Sequence, residues 1–171
     1  RSLNKNYEVK ASLLSDAESL KLADYSLVIF YQCNPAGSGA LKGFISKNTV
    51  PVWYMLGAQT DLPQFNNGQK ALQIYSNRNQ VQEVFPLPAT DFSLFTLSDS
   101  TRSKLSKLPP LIAPFGNYRT AGNDQLLLKQ RIGEVPTPYP LLLFSDDNGR
   151  RMGILTGEGI WRWSLAEYQS Y

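Results

Sequence analysis

The sequence contains no histidine and a single cysteine, Cys33. Without an imidazole there can be no Ser-His-Asp triad, no histidine-containing zinc site and no imidazole acid–base catalysis. One thiol excludes an internal disulfide and a thiolate metal cluster, and is compatible with an oxidising or a reducing compartment. Long apolar runs are also missing. The longest, Tyr25 to Tyr31 and Tyr139 to Phe144, are strand-sized, whereas a membrane helix needs roughly 20 apolar residues. Charge is sparse, at 18% of residues, and the net +3 comes from 17 basic and 14 acidic side chains scattered along the chain. A nucleic-acid footprint would be clustered on one face, so no nucleic-acid partner is expected. The chain starts at Arg1 with no charged-then-apolar leader. Any targeting or anchoring segment is therefore expected upstream, in a longer parent chain.

What is present is an ordinary globular balance, 42% hydrophobic over 171 residues, enough for one domain with a core that needs no staples. Tyr7 to Ala11 alternates loosely and reads as a strand. Ser15 to Lys21 opens with an N-cap serine and has Glu18 three residues on, the signature of a short capped helix. Ser26 to Tyr31 is a continuous apolar run, which predicts a strand buried on both faces. Gly39 to Lys47 carries Leu41, Phe44 and Ile45 at helical spacing, and Val50 to Leu56 is a second buried run ending at Gly57. Strand, helix, strand predicts a parallel unit with a right-handed crossover.

The second half changes character. Leu72 to Tyr75 and Gln82 to Phe85 read as shorter strands, and Ser98 to Leu108 as a capped helix stopped by Pro109 and Pro110. Gln125 to Ile132, Tyr139 to Ser145 and Arg151 to Thr156 follow, the last two separated by Asp146-Asp-Asn-Gly149, a hairpin signal. The expectation is a mixed sheet: a parallel core followed by antiparallel strands.

Chemistry is thinly marked. Cys33 follows the strongest expected strand, at the carboxyl end where open α/β sheets place ligands, but a nucleophilic thiol needs a nearby cation or helix dipole to lower its pKa. The preferred explanation is a small, half-buried residue at a strand end. Asp24, Asp61 and Glu158 lie nearest expected strand ends and could form a carboxylate pair, or serve as surface groups and helix caps. Gly153, Gly157 and Gly159 do not reproduce a phosphate-binding glycine loop, so no nucleotide cofactor is expected. In Thr156-Gly-Glu-Gly-Ile-Trp-Arg-Trp163, Trp161 and Trp163 flanking Arg162 could stack on a sugar ring or a partner's side chain. Alternatively they anchor the C-terminal segment on the sheet.

Three strings, Tyr25-Ser-Leu-Val-Ile-Phe-Tyr-Gln32, Leu108-Pro-Pro-Leu-Ile-Ala-Pro-Phe-Gly116 and Thr156-Gly-Glu-Gly-Ile-Trp-Arg-Trp163, resemble the class I glutamine amidotransferase-like domain of large bacterial envelope proteins of the Bacteroidetes type. The resemblance implies an α/β, flavodoxin-like three-layer sandwich with a mixed, mainly parallel sheet. It implies that residues 1–171 form one domain of a larger chain, lacking the first strand and helix. It also implies a periplasmic or envelope setting, with other domains of the same polypeptide or envelope proteins as partners and any membrane contact made by segments outside this chain. At the family's nucleophile elbow this sequence reads Gly57-Ala-Gln-Thr-Asp61, without a thiol, and at its His-x-Glu it reads Thr156-Gly-Glu158. The expected function is thus a non-catalytic binding or interaction module, without cofactor or metal, whose small-molecule ligand is undefined. Its cleft would be lined by Gln32, Cys33, Gln59, Thr60 and Glu158. The alternative is an enzyme of unassigned chemistry built on Cys33 or a carboxylate pair. Adjacent parallel strands with crossovers on opposite faces would leave a crevice at that edge.

Overall fold

Short β-branched and aromatic runs bounded by proline, glycine and amides make most of this chain strand, as their pleated-surface preference requires. The computed structural model describes residues 6–21, 24–32, 49–76, 80–122, 124–147 and 149–168. Within them Val28–Tyr31 (β1) and Val52–Met55 (β2) lie parallel, and β2 is parallel in turn to Arg150–Leu155 (β9). Beyond β9 every neighbour is antiparallel: Val135–Asp147 (β8), Gln125–Ile132 (β7), Val81–Pro88 (β4) and Leu111–Pro114 (β5). The seven-stranded order is β1-β2-β9-β8-β7-β4-β5. Leu72–Tyr75 (β3) and Asn117–Thr120 (β6) pair as a separate antiparallel ribbon.

Three helices complete the described residues. Asp61 caps Leu62–Gly68 (α1), its Oδ1 accepting the Gln64 N–H at 2.7 Å. Ser98 caps Asp99–Ser106 (α2) through the Thr101 N–H. Trp161–Tyr168 (α3) follows the last strand. Each cap satisfies a donor that the first helical turn leaves open.

Two apolar clusters lie on the large sheet. In the first, β2 presents Val52 and Tyr54 to α1 and the ribbon. Tyr54 meets Phe65 edge-on at 5.4 Å, and Leu72, Ile74 and Tyr118 pack alongside. In the second, Val84, Leu111, Ala113, Leu128, Leu141 and Leu155 fill the space enclosed by the antiparallel strands, with Leu105 of α2 and Trp163 of α3 against them. Each fully buried leucine contributes about 2 kcal/mol through removal of apolar area from water. Burial raises the Tyr118 hydroxyl far above its ordinary pKa, and it donates to the Pro114 carbonyl.

The chain closes this second cluster itself. After β9 the Thr156 N–H donates to the Leu141 carbonyl at 2.9 Å, and then Glu158 and Ile112 exchange both backbone hydrogen bonds, at 3.0 and 2.9 Å. The outer edge of β5, otherwise a row of unpaired donors and acceptors, is thereby partly covered by the run leaving β9. The approach is close: a Cβ on Gly157 would stand 2.9 Å from Leu111 Cβ. Inside the curl, Gln130 is buried and its Nε2 donates to the Pro140 carbonyl at 2.9 Å and to Thr156 Oγ1 at 3.1 Å.

The flavodoxin-like, mainly parallel sandwich is therefore overturned: of six neighbouring pairs in the large sheet, four are antiparallel. The physical reason lies in the connections. A parallel crossover needs a dozen or more residues, whereas only Gly133 and Glu134 separate β7 from β8, and β8 turns into β9 at Gly149, whose N–H donates to Asp146 Oδ1. β8 is also far longer than its apolar half announced. Pro136, Pro138 and Pro140 recur at alternate positions, so their missing donors share one side of the strand. β9 pairs only with Leu142–Asp147, so this stretch of β8 has β7 as its one neighbour in the sheet.

Other expectations change locally. Tyr7 to Ala11 is not a strand, and Ser15 to Lys21 is replaced by a 3-10 helix over Leu14–Ser19. β1 is not buried on both faces, because Ile29 and Tyr31 are 45% and 60% exposed. The helix expected over Gly39 to Lys47 lies outside the described residues, as does Cys33.

The tight passage at Gly157 gives a direct test. Gly157→Ala is expected to lower stability in urea denaturation by about 1–3 kcal/mol, the usual cost of forcing a methyl into a packed contact. Leu165→Ala, on the exposed side of α3, should change it by no more than about 0.5 kcal/mol. Equal denaturation midpoints for parent and Gly157→Ala would mean that the closure is loose.

Candidate functional site

The loop after β2 and the segment after β9 meet at the carboxyl ends of the parallel strands. Gly57 leaves room there for two side chains: a Cβ on it would stand 2.6 Å from Glu158 Oε2 and 2.7 Å from Gln32 Cδ. Glu158 reaches in from the run that closes against β5. Gln32 reaches in from the end of β1, with φ at +46°, the one positive φ of a non-glycine among the described residues. Such a backbone costs on the order of 1 kcal/mol and persists only when its surroundings hold it.

They do hold it. Gln32 N–H donates to the Met55 carbonyl at 2.8 Å. Its Nε2 donates to Glu158 Oε2, and its Oε1 accepts the Gln59 N–H at 2.8 Å. Only this amide orientation satisfies both partners. Glu158 Oε1 accepts the Ala58 N–H at 3.3 Å, and Thr60 Oγ1 accepts the Gly57 N–H at 2.8 Å. The structure thus brings Gln32, Gln59, Thr60 and Glu158 together. Cys33, although next in sequence to Gln32, lies outside the described residues.

The amides and carboxylate knit the loops to one another. Beside them, on the α1 side, a depression bounded by Gly57, Ala58, Thr60, Leu62, Gln80, Val81 and Pro114 has a volume of about 10 Å³, room for a single water at most. Of the other carboxylates singled out, Asp61 is occupied as the α1 cap and Asp24 is exposed. No group of three or more His, Cys, Asp or Glu able to hold a metal occurs among the described residues.

Trp161 and Trp163 separate in role. Trp163 is partly buried against the second cluster, and its Nε1–H donates to the Pro109 carbonyl at 2.8 Å. Trp161 is 61% exposed, with the Arg162 guanidinium 5.5 Å from its ring. Arg162 Nη1 also reaches the Pro110 carbonyl at 3.4 Å. One tryptophan anchors α3 to the proline pair after α2, and the other faces solvent.

A larger opening lies elsewhere. Between the ribbon and the far half of the large sheet is a cavity of about 540 Å³, bounded by Tyr75, Gln80, Gln82, Phe115, Asn117 and Tyr139 with Ser76, Gly116 and Ile132. Sequence reading missed it, because its walls come from β3, β4, β7, β8 and the turn into β6, and no motif joins them. The one local signal was the alternation Gln80-Val-Gln82, which sets two amides on one face of a strand.

No family model and no curated protein matches the chain. Among solved structures it is similar to a cytoplasmic protein, STM3548, from Salmonella typhimurium. That match has 9% identity and a TM-score of 0.59, and covers 98% of this chain and 77% of that one. It is also similar to β-galactosidases from Bacillus circulans sp. alkalophilus (8% identity, TM-score 0.48) and Rahnella sp. R3 (9% identity, TM-score 0.46). Each of these covers 88% of this chain and 24% of the enzyme. The first shares a fold, and the two enzyme matches are too weak to carry an argument. None is described as a glutamine amidotransferase-like or envelope protein. No helix among the described residues is long and apolar enough to cross a membrane.

The two tryptophans should differ under truncation. Trp163→Ala is expected to lose about 3 kcal/mol, near the lower end for a large aromatic, measured by chemical denaturation. Trp161→Ala should lose no more than about 0.5 kcal/mol, as exposed substitutions do. Equal losses would mean that both rings pack.

Proposed function

We propose that this domain is a non-catalytic binding module whose ligand surface is the cavity between the ribbon and the large sheet. The observation that carries this reading is the state of the carboxyl edge. Both Glu158 oxygens and both polar ends of the Gln32 amide are engaged with neighbouring loops. A general acid or base must come within hydrogen-bond reach of a substrate proton, and here that reach is spent on the protein itself. The cavity has the opposite character. Its volume is within the range typical of small-molecule sites, and it combines aromatic faces with a few polar groups.

The reading is tested by assaying the chain against glutamine and against p-nitrophenyl esters, phosphates and glycosides. No turnover above a boiled control is expected. Turnover abolished by Glu158→Gln or by Cys33→Ala would establish an enzyme instead.

A further inference from the structure

We infer that the cavity takes a neutral saccharide, an inference that rests on the binding-module reading above. Three rings face it: Tyr75, Phe115 and Tyr139. Tyr75 and Phe115 are each about half exposed. Tyr139 is held on its far side by Tyr118, stacked at 5.1 Å between ring centres. The fold sets the Phe115 backbone, whose N–H donates to the Gln80 carbonyl at 2.8 Å, and the Tyr139 ring, whose Oη donates to Asn117 Oδ1 at 3.3 Å. A flat apolar ring face held in advance costs little entropy on binding. The C–H face of a pyranose is the complementary shape, a weakly polar surface of about one ring's size that stacks on an aromatic.

The polar lining points to the same class. Among the described residues, the cavity wall carries no Asp, Glu, Lys or Arg. A charged ligand would find no counter-charge on these described wall residues and would lose hydration against their rings, at a cost. Instead the wall carries the amides of Gln80, Gln82 and Asn117. The side-chain amides of Gln80 and Gln82 make no hydrogen bond to described residues, and Asn117 uses its carbonyl on Tyr139 and keeps its NH2. An amide pairs donors with an acceptor, as a sugar hydroxyl does, so adjacent hydroxyls and amides can satisfy each other in both directions. Arg119 holds its guanidinium 5.5 Å from the centre of the Tyr75 ring. It sits against that ring and does not line the cavity, which leaves Phe115 the freer stacking face.

The experiment titrates the 171-residue chain with maltotriose, cellotriose and tri-N-acetylchitotriose as neutral probes and with trigalacturonate as the acidic one, using saturation-transfer NMR and calorimetry. At least one neutral trisaccharide should bind. Phe115→Ala and Gln82→Ala should each weaken it about tenfold while leaving the thermal midpoint unchanged, since neither side chain is buried in either cluster. Failure of all three neutral probes to bind up to about 10 mM, unchanged affinity in both variants, or tighter binding of trigalacturonate would overturn the saccharide assignment and leave the binding-module reading standing. Release of new reducing ends from a bound trisaccharide would instead overturn the binding-module reading.

Discussion

The arrangement depends on where Glu158 is held. Its backbone pairs with Ile112 and ends the antiparallel curl, while its side chain crosses to the parallel strands and meets Gln32 and the Ala58 N–H. One residue thus adds a link between the parallel and antiparallel parts of the sheet, beside the β8–β9 ladder that already joins them. The tie needs no side chain at Gly57, close packing at Gly157 and a left-handed Gln32 backbone. The left-handed Gln32 backbone is a local cost, held by the hydrogen bonds that Gln32 makes to Met55, Glu158 and Gln59.

This constraint also engages the polar side chains of the carboxyl edge with one another. Ligands in open α/β sheets collect at that edge because crossovers on opposite faces leave a crevice. Here one flank of the parallel strands is continued by the antiparallel β8, and the run leaving β9 pairs with β5 while its Glu158 side chain bonds to Gln32 and the Ala58 N–H. The larger opening lies where the ribbon of β3 and β6 stands off from β4 and β7. There Tyr139, from the proline-rich stretch of β8, lines the same space as Phe115 and the amides.

Much of the element inventory was legible in the sequence. Runs such as Val52–Met55 and Leu72–Tyr75 stand out by β-branching and aromatics, and α2 is announced by its Ser98 cap and the prolines that follow it. Pairing was legible in part: the strand–helix–strand pattern announced the parallel pairing of β1 with β2, and the turn at Asp146 to Gly149 announced the β8–β9 hairpin, whereas the mainly parallel sheet that the family resemblance implied is not there. The prolines between Val135 and Pro140 concealed half of β8, since proline is ordinarily evidence against a paired strand. Strand ends did indicate that Gln32, Gln59, Thr60 and Glu158 would share an edge. That they would bond to one another depended on side-chain reach, which sequence does not encode. The cavity was invisible for the same reason, being assembled from residues of five separate elements.

A double-mutant cycle on Gln32 and Glu158 measures this tie most directly. Denaturation of the parent, Gln32→Ala, Glu158→Ala and the double variant isolates their interaction from the separate costs of removing each side chain. A coupling of about 1–2 kcal/mol is expected for a part-buried hydrogen bond donated by the Gln32 amide to the Glu158 carboxylate. Losses that add to within about 0.5 kcal/mol would mean that the two side chains merely lie near each other, and that the halves of the sheet are held together without them.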